Sequence, residues 1–340
     1  LTKHLLLQTL PLHCGLAGCF SQIKFYTMNK KVGIIGGAGF IGSQITNVFL
    51  DNNFEVKVGT TNISMVEKYQ HLMNLNSSHN LHISELDVTD KEVLRTFVSD
   101  CDIVIHSGTP FILDVEDPQT QLFDPTIKGT ENFLEIIHAT PGIGKVVFVA
   151  SVASYNTNFP MPAGGRDFYG TFDENSEKFT SIESHPYAQA KFIANQVVEK
   201  FIAENKDLNY EISSVSPVMV MGKSLSGRED STSGGLQYLI KNMIAPDAFI
   251  QSLYDNDVPF SIVDVRDVAQ AIFNSAITKG LHGKNHLLAS ETYRVSDIHS
   301  MMNGRNAAHG PTKVYNSDLA QQDLNMNFRP VIETLRYCCE

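Results

Sequence analysis

No stretch of the chain is apolar for the roughly 18 positions that a membrane-spanning helix needs, so no such helix is expected. Basic residues are scarce: 26 Lys and Arg stand against 37 Asp and Glu, a net charge of −11. A surface that negative repels phosphate backbones, which argues against nucleic acid as a partner. Cysteines are few and odd in number. Cys14, Cys19, Cys101, Cys338 and Cys339 match neither a disulfide framework nor a zinc-ligand spacing, and a reducing, cytoplasmic compartment is expected. Tryptophan is missing too, which excludes nothing. What remains is the composition of a globular protein, 42% hydrophobic and 19% charged over 340 residues.

Residues 1–27 read as an extension outside the fold, because Met28-Asn29-Lys30-Lys31 followed by an apolar strand resembles a translation start. Lys3, Leu5-Leu6-Leu7 and Leu16-Ala17-Gly18-Cys19 imitate a lipoprotein signal, but Gln8, Pro11 and His13 interrupt its apolar part. Beyond Met28, short apolar runs alternate with helical periodicity. Strands are expected at Lys31–Ile35, Phe54–Val58, His82–Leu86, Ile103–His106, Lys145–Ala150 and Glu211–Val215. Helices are expected at Ser43–Leu50, Ser64–Leu75, Asp90–Val98, Thr126–His138 and Pro186–Glu204, with Ser64 and Asp90 as N-caps. This alternation predicts an α/β fold, a doubly wound parallel sheet of the Rossmann type, over residues 28–215. Residues 216–340 carry more Gly, Ser and Pro and read as a smaller, irregular substrate-binding region that partly returns to the sheet.

The first motif with chemistry is Gly36-x-x-Gly39-x-x-Gly42, set between the first strand and the first helix. Gly36 permits the tight turn, Gly39 lets a diphosphate approach the backbone, and Gly42 lets the helix pack close to the sheet. The helix start, with Phe40 and Ile41, presents backbone N–H groups to the anion. A dinucleotide cofactor is therefore expected. A carboxylate after the second strand would suit NAD and an arginine NADP. Gly59-Thr60-Thr61-Asn62-Ile63-Ser64 contains neither. With no acid to repel a 2′-phosphate, and with Thr61, Ser64 and Lys68 at hand to hold one, NADP is preferred over NAD.

The second motif is Tyr187-x-x-x-Lys191 at the start of the long helix. The i, i+4 spacing places both side chains on one helix face. The ammonium is expected to lower the tyrosine pKa, so that the phenol exchanges a proton with a substrate oxygen, and to hold the nicotinamide ribose. Tyr26 and Lys30 share the spacing, but they precede the first strand, where no cofactor cleft can form. Ser151, just after the fifth strand, completes the set.

The glycine turn, Ser151 and the tyrosine–lysine pair together resemble the signature of the extended short-chain dehydrogenase/reductases. Within that superfamily the chain is most similar to the dihydroflavonol reductase-like ketone and aldehyde reductases, from about Lys31 to about Ala271. Val56–Leu72 aligns with that group without gaps, including the closing His71-Leu72. Asp117-Pro118, Pro125–Thr130 and Val263–Ala269 resemble further motifs of the group.

The resemblance implies that Ser151 is the catalytic serine, Tyr187 the acid/base and Lys191 its partner. It implies that Asp87 and Val88 hold the adenine and that Gly108 and Thr109, in Ile105–Pro110, line the cofactor. Pro217 and Val220, in Ser216–Gly222, fall where the nicotinamide amide is touched. Asn156 falls where the flavonoid enzymes keep a substrate-contacting asparagine. Two positions depart from the group: the arginine expected at Thr61 is missing, and loop 157–185 is this chain's own. The implied activity is NAD(P)H-dependent reduction of a small-molecule ketone or aldehyde. The implied assembly is a homodimer pairing helices Thr126–His138 and Pro186–Glu204, with Ile193, Val197 and Ile202 on the shared face.

A sugar-nucleotide epimerase on the same scaffold is the alternative. A dehydratase would need an Asp-Glu pair where Val152-Ala153 stand, and a dinucleotide sensor would not need the catalytic trio. His71, His79 and His82 lack carboxylate and cysteine company, so no metal is expected. His106 reads as a core histidine, and Ser154 is a rival to Ser151. Phe159, Phe168, Tyr169 and Phe172 either line an apolar pocket or pack loop 157–185 itself.

Overall fold

The computed structural model describes residues 30–107, 116–227 and 232–339. Its first half alternates as expected except between the second and third strands: β1 (Lys31–Ile35), α1 (Phe40–Asp51), β2 (Glu55–Thr60), β3 (Leu81–Glu85), α2 (Lys91–Val98), β4 (Ile103–His106), α3 (Asp124–Ala139), β5 (Lys145–Val149), α4 (Pro186–Glu204) and β6 (Glu211–Pro217). These strands pair in parallel in the order β3-β2-β1-β4-β5-β6. The order reverses between β1 and β4, and the crevice beyond those strand ends is where a doubly wound sheet binds its ligand.

The strand sequences explain the layering. All five residues of β5 are buried. Val147 and Val149 enter one core with Ile45 and Phe49 of α1, while Val146 and Phe148 enter the other with Phe97 of α2, Phe133 of α3 and Val198 of α4. A strand covered on both faces has no polar alternation to show. Asp90 caps α2 as expected, accepting from the backbone N–H groups of Glu92 and Val93.

Residues 216–340 are more regular than their composition suggests. They form β7 (Met219–Met221), α5 (Thr232–Asn242), α6 (Ala248–Asp255), β8 (Pro259–Asp264), α7 (Val265–Ile277), β9 (Asn285–Leu288), β10 (Glu291–Arg294), α8 (Val295–Met302), α9 (Asp318–Asp323) and α10 (Val331–Cys339). β9 returns to the main sheet beside β6, while β10, β8 and β7 form a small mixed sheet. α7 joins α1 on the main sheet. Phe49 and Phe273 meet edge to face at 5.1 Å, and Phe54 lies 5.1 Å from Phe49 and 5.9 Å from Phe273.

The Val263–Ala269 motif organises this junction. Asp264 is fully buried, caps α7 through the Arg266 N–H and binds the Arg266 guanidinium at two points. Asp267, also buried, accepts from the backbone and side chain of Arg329.

The expected helix Ser64–Leu75 does not form. A 3₁₀ turn at Val66–Lys68 and one helical turn at Gln70–Met73 replace it. Ser64 is not a cap: Asn62 Oδ1 accepts both the Ser64 N–H (2.9 Å) and its hydroxyl (2.6 Å), closing a side-chain turn that competes with helix. Only Tyr69 and Leu72 of residues 61–73 are buried, too few to seat a full amphipathic helix.

Candidate active site

The glycine turn has the geometry its spacing predicts. Gly36 adopts φ +79°, where an L side chain is strained. A Cβ on Gly42 would lie 2.0 Å from the Gly36 carbonyl oxygen. Helix α1 starts with no capping side chain and no acid in its first turn. Its first bonded amide is Ser43 N–H, on Gly39 O, so the N–H groups of Phe40, Ile41 and Gly42 have no helical acceptor. Such a bare helix start suits a diphosphate, and the residues present fit a dinucleotide.

Most of the other expected cofactor residues follow the ends of strands. Thr61 is exposed at the end of β2, with Lys68 on the following 3₁₀ turn. Asp87 follows β3; its Oδ1 accepts from Thr89 N–H and Oγ1–H, which holds the carboxyl below its usual range. Pro217 and Val220 are buried where the chain passes from the main to the small sheet. Gly108 and Thr109 lie outside the described residues, as do residues 1–27 and Tyr26.

A cavity of about 220 Å³ between the sheet, α3 and α4 is lined by Val88, Ala150 and Lys191 among others. Lys191 is 8% exposed, and burial lowers its pKa to about 8. Its ammonium lies 5.9 Å from the Tyr187 ring centroid. Burial pushes the Tyr187 phenol up to about 12. That corrects the expected direction: desolvation, which favours the neutral phenol, outweighs the neighbouring charge.

α4 begins at Pro186, where a proline costs no hydrogen bond, and His185 Nδ1 caps it by accepting the Tyr187 N–H at 3.2 Å. Ser151 starts the short turn Val152–Ser154, against which α4 packs. Its Oγ accepts from Ala153 N–H at 3.2 Å, which leaves its own hydrogen to donate. Ser154, the rival, is 1% exposed and its hydroxyl is buried, whereas Ser151 is partly exposed. His106 stacks 5.3 Å from Phe148 and edge-on to Phe133. Burial and the Lys191 charge lower its pKa to about 4, as befits a neutral core residue.

A model of the NAD dependent epimerase/dehydratase family matches residues 32–287. The chain belongs to this family. It is 27% identical over 262 residues to cinnamoyl-CoA reductase CAD2 of Medicago truncatula, covering 75% of this chain and 76% of that one. It is 25% identical over 289 residues to the NADPH-dependent methylglyoxal reductase GRE2 of Saccharomyces cerevisiae, covering 80% and 82%. The crystal structure of Gre2 from Candida albicans in complex with NADPH superposes with TM-score 0.75 at 20% identity, covering 91% and 97%.

Not every expected residue of this epimerase/dehydratase-family protein faces the cleft. Asn156 is 1% exposed. Its Nδ2 donates to Met161 O and to the Tyr315 hydroxyl, and its Oδ1 accepts from Asn158 N–H. It ties the base of loop 157–185 to a segment 159 residues away and has no surface to offer a substrate. Phe159 and Phe172 likewise pack against Tyr315, at 5.6 and 5.5 Å, while Phe168 and Tyr169 are exposed. Among the described residues no group of three or more His, Cys, Asp or Glu is placed to hold a metal ion, and no helix is long and apolar enough to cross a membrane.

Proposed function

We propose that the protein is an NADPH-dependent oxidoreductase that reduces a small ketone or aldehyde to an alcohol. The observation that carries this reading is geometric: the Lys191 ammonium lies 5.9 Å from the Tyr187 ring centroid on α4, which packs against the turn that Ser151 starts. Tyr187, raised to about 12, holds its proton at neutral pH, and Lys191, at about 8, holds its charge. Ser151 has a hydrogen to donate to the substrate oxygen. When bound, the nicotinamide supplies the hydride. Ser151 polarises the carbonyl, Tyr187 delivers the proton to its oxygen, and the Lys191 charge eases the loss of that proton. The two relatives, both reductases by name, support reductase chemistry in general, and the methylglyoxal reductase is NADPH-dependent by name. A panel of aldehydes and ketones, followed by NADPH consumption, tests it. Interconversion of a sugar nucleotide without net NADPH loss would favour the epimerase instead.

NADPH is favoured because no acid follows β2 and Thr61 is exposed there, with Lys68 nearby. Thr61→Asp is expected to reverse the preference, because a carboxylate at that place repels a 2′-phosphate. Dissociation constants for NADPH and NADH decide the point, and tighter NADH binding by the unmutated protein refutes it.

The outer groove between α3 and α4 is lined by Ile127, Leu134, Ile193, Val197 and Phe201 together with charged residues such as Glu131 and Lys200. Val197 and Ile202 also pack partly against the core beneath, so the groove rather than a flat apolar face is what a second copy would fill. Twofold pairing through this groove predicts a dimer in light scattering at micromolar concentration. A mass near 37.7 kDa would refute it.

A further inference from the structure

His71 lies far in sequence from the glycine turn, yet a two-step relay joins them. The Ser43 hydroxyl is 2.7 Å from Gly39 O and 2.8 Å from His71 Nε2. A hydroxyl has one proton to give, and a carbonyl oxygen can only accept. Ser43 therefore donates to Gly39 and accepts from His71, which fixes Nε2 as the donor. Ser43 is fully buried, so losing that donor is not made good by solvent. Gly39 is the residue immediately before the bare amides of α1.

The other end of the relay is as significant. His71 sits on the turn Gln70–Met73, which closes the segment carrying Thr61, Ser64 and Lys68. Of residues 61–73, Tyr69 and Leu72 join the core beneath. Ile63, Val66 and Met73 are 47%, 46% and 49% exposed, while Tyr69 and Leu72 are buried. The Tyr69 hydroxyl bonds Ile63 O within the same segment. The His71–Ser43 bond fastens the segment to α1, beside the diphosphate site.

We propose that His71 is a positioning residue that couples the two phosphate-binding parts of the cofactor site, the glycine turn and the segment 61–73 that faces the 2′-phosphate. The inference rests on the NADPH reading above. His71 touches no reacting atom; it acts through Ser43 and through the backbone it anchors.

Titrating NADPH and NADH by nucleotide fluorescence tests the coupling. His71→Ala is expected to weaken NADPH binding by about threefold to tenfold, the range of one net hydrogen bond. NADH binding changes less, so the NADPH preference narrows. His71→Gln keeps an N–H donor at similar reach and is expected to restore both affinity and preference, which a purely space-filling role would not. Ser43→Ala and His71→Ala should be non-additive, because they break one relay. Melting temperatures identify any variant that fails to fold, and His71→Gln carries the test if His71→Ala does. Unchanged NADPH affinity in His71→Ala overturns the proposal. So does failure of a folded His71→Gln to restore the NADPH preference. If the unmutated protein prefers NADH, the cofactor reading falls and the coupling to a 2′-phosphate falls with it. A retained NADPH preference that His71→Ala leaves untouched removes the role of His71 alone.

Discussion

Tyr187→Phe is expected to lower turnover by about 10²–10⁴-fold, the usual contribution of a general acid or base. The ring stays at the start of α4, so packing and the His185 cap are unaffected and only the proton is lost. NADPH affinity should barely move, since the glycine turn and Lys191 remain. Lys191→Ala should damage both turnover and binding, because the same ammonium lies beside Tyr187 and lines the cleft. The pH profile carries a further sign. With Lys191 lowered to about 8 and Tyr187 raised to about 12, reduction should hold on the acid side of pH 8 and decline above it. It is the ammonium, not the phenol, that discharges first on that side. Steady-state kcat against pH measures this limb. A folded Tyr187→Phe that keeps most of its turnover removes Tyr187 as the acid.

The parts of the site that were legible in the sequence are those in which a short stretch dictates its own geometry. Gly36 and Gly42 are required by a turn and a contact within seven residues, and the Tyr187–Lys191 spacing needs only a helix. Other features depend on partners that no local pattern reveals. Asn156 is assigned to the substrate by resemblance alone, and its actual partner, Tyr315, lies 159 residues away where no local pattern reveals it. Phe172 belongs to the same long-range cluster. The Tyr187 shift was misjudged for a related reason. A charge four residues away is visible in sequence, whereas desolvation is set by everything packed around the phenol. The Ser64 helix failed in the opposite way, through a local competitor, the Asn62 side chain. Residues 216–340 looked irregular because their elements are short, yet α7 covers the main sheet and Asp264 and Asp267 anchor it. In the sequence His71 closes the stretch Val56–Leu72 and lacks the company of a metal site, and no local pattern shows that it meets Ser43.

Gly42→Ala is expected to abolish most cofactor binding without touching a catalytic group. The added methyl would sit 2.0 Å from Gly36 O and 2.8 Å from both the Gly36 carbonyl carbon and Gly37 Cα. All three are backbone atoms of the turn, so no side chain can swing aside. Either α1 moves away from β1 or the turn opens, and each displaces the amides of Phe40 and Ile41 from the diphosphate. Overpacking of this kind typically costs about 1–3 kcal/mol of stability, and a loss of at least about 1.4 kcal/mol in binding is tenfold in affinity. Gly235→Ala is the matched control. It lies inside α5, nothing stands within 4 Å of its added methyl, and it is exposed. Removing a helix-interior glycine there should stabilise the protein by about 0.5–1 kcal/mol. Calorimetric titration with NADPH and thermal melting of the two variants separate the effects. If Gly42→Ala binds NADPH as tightly as the unmutated protein, the turn is not where the diphosphate lies, because no rearrangement that accommodates the methyl leaves those amides in place.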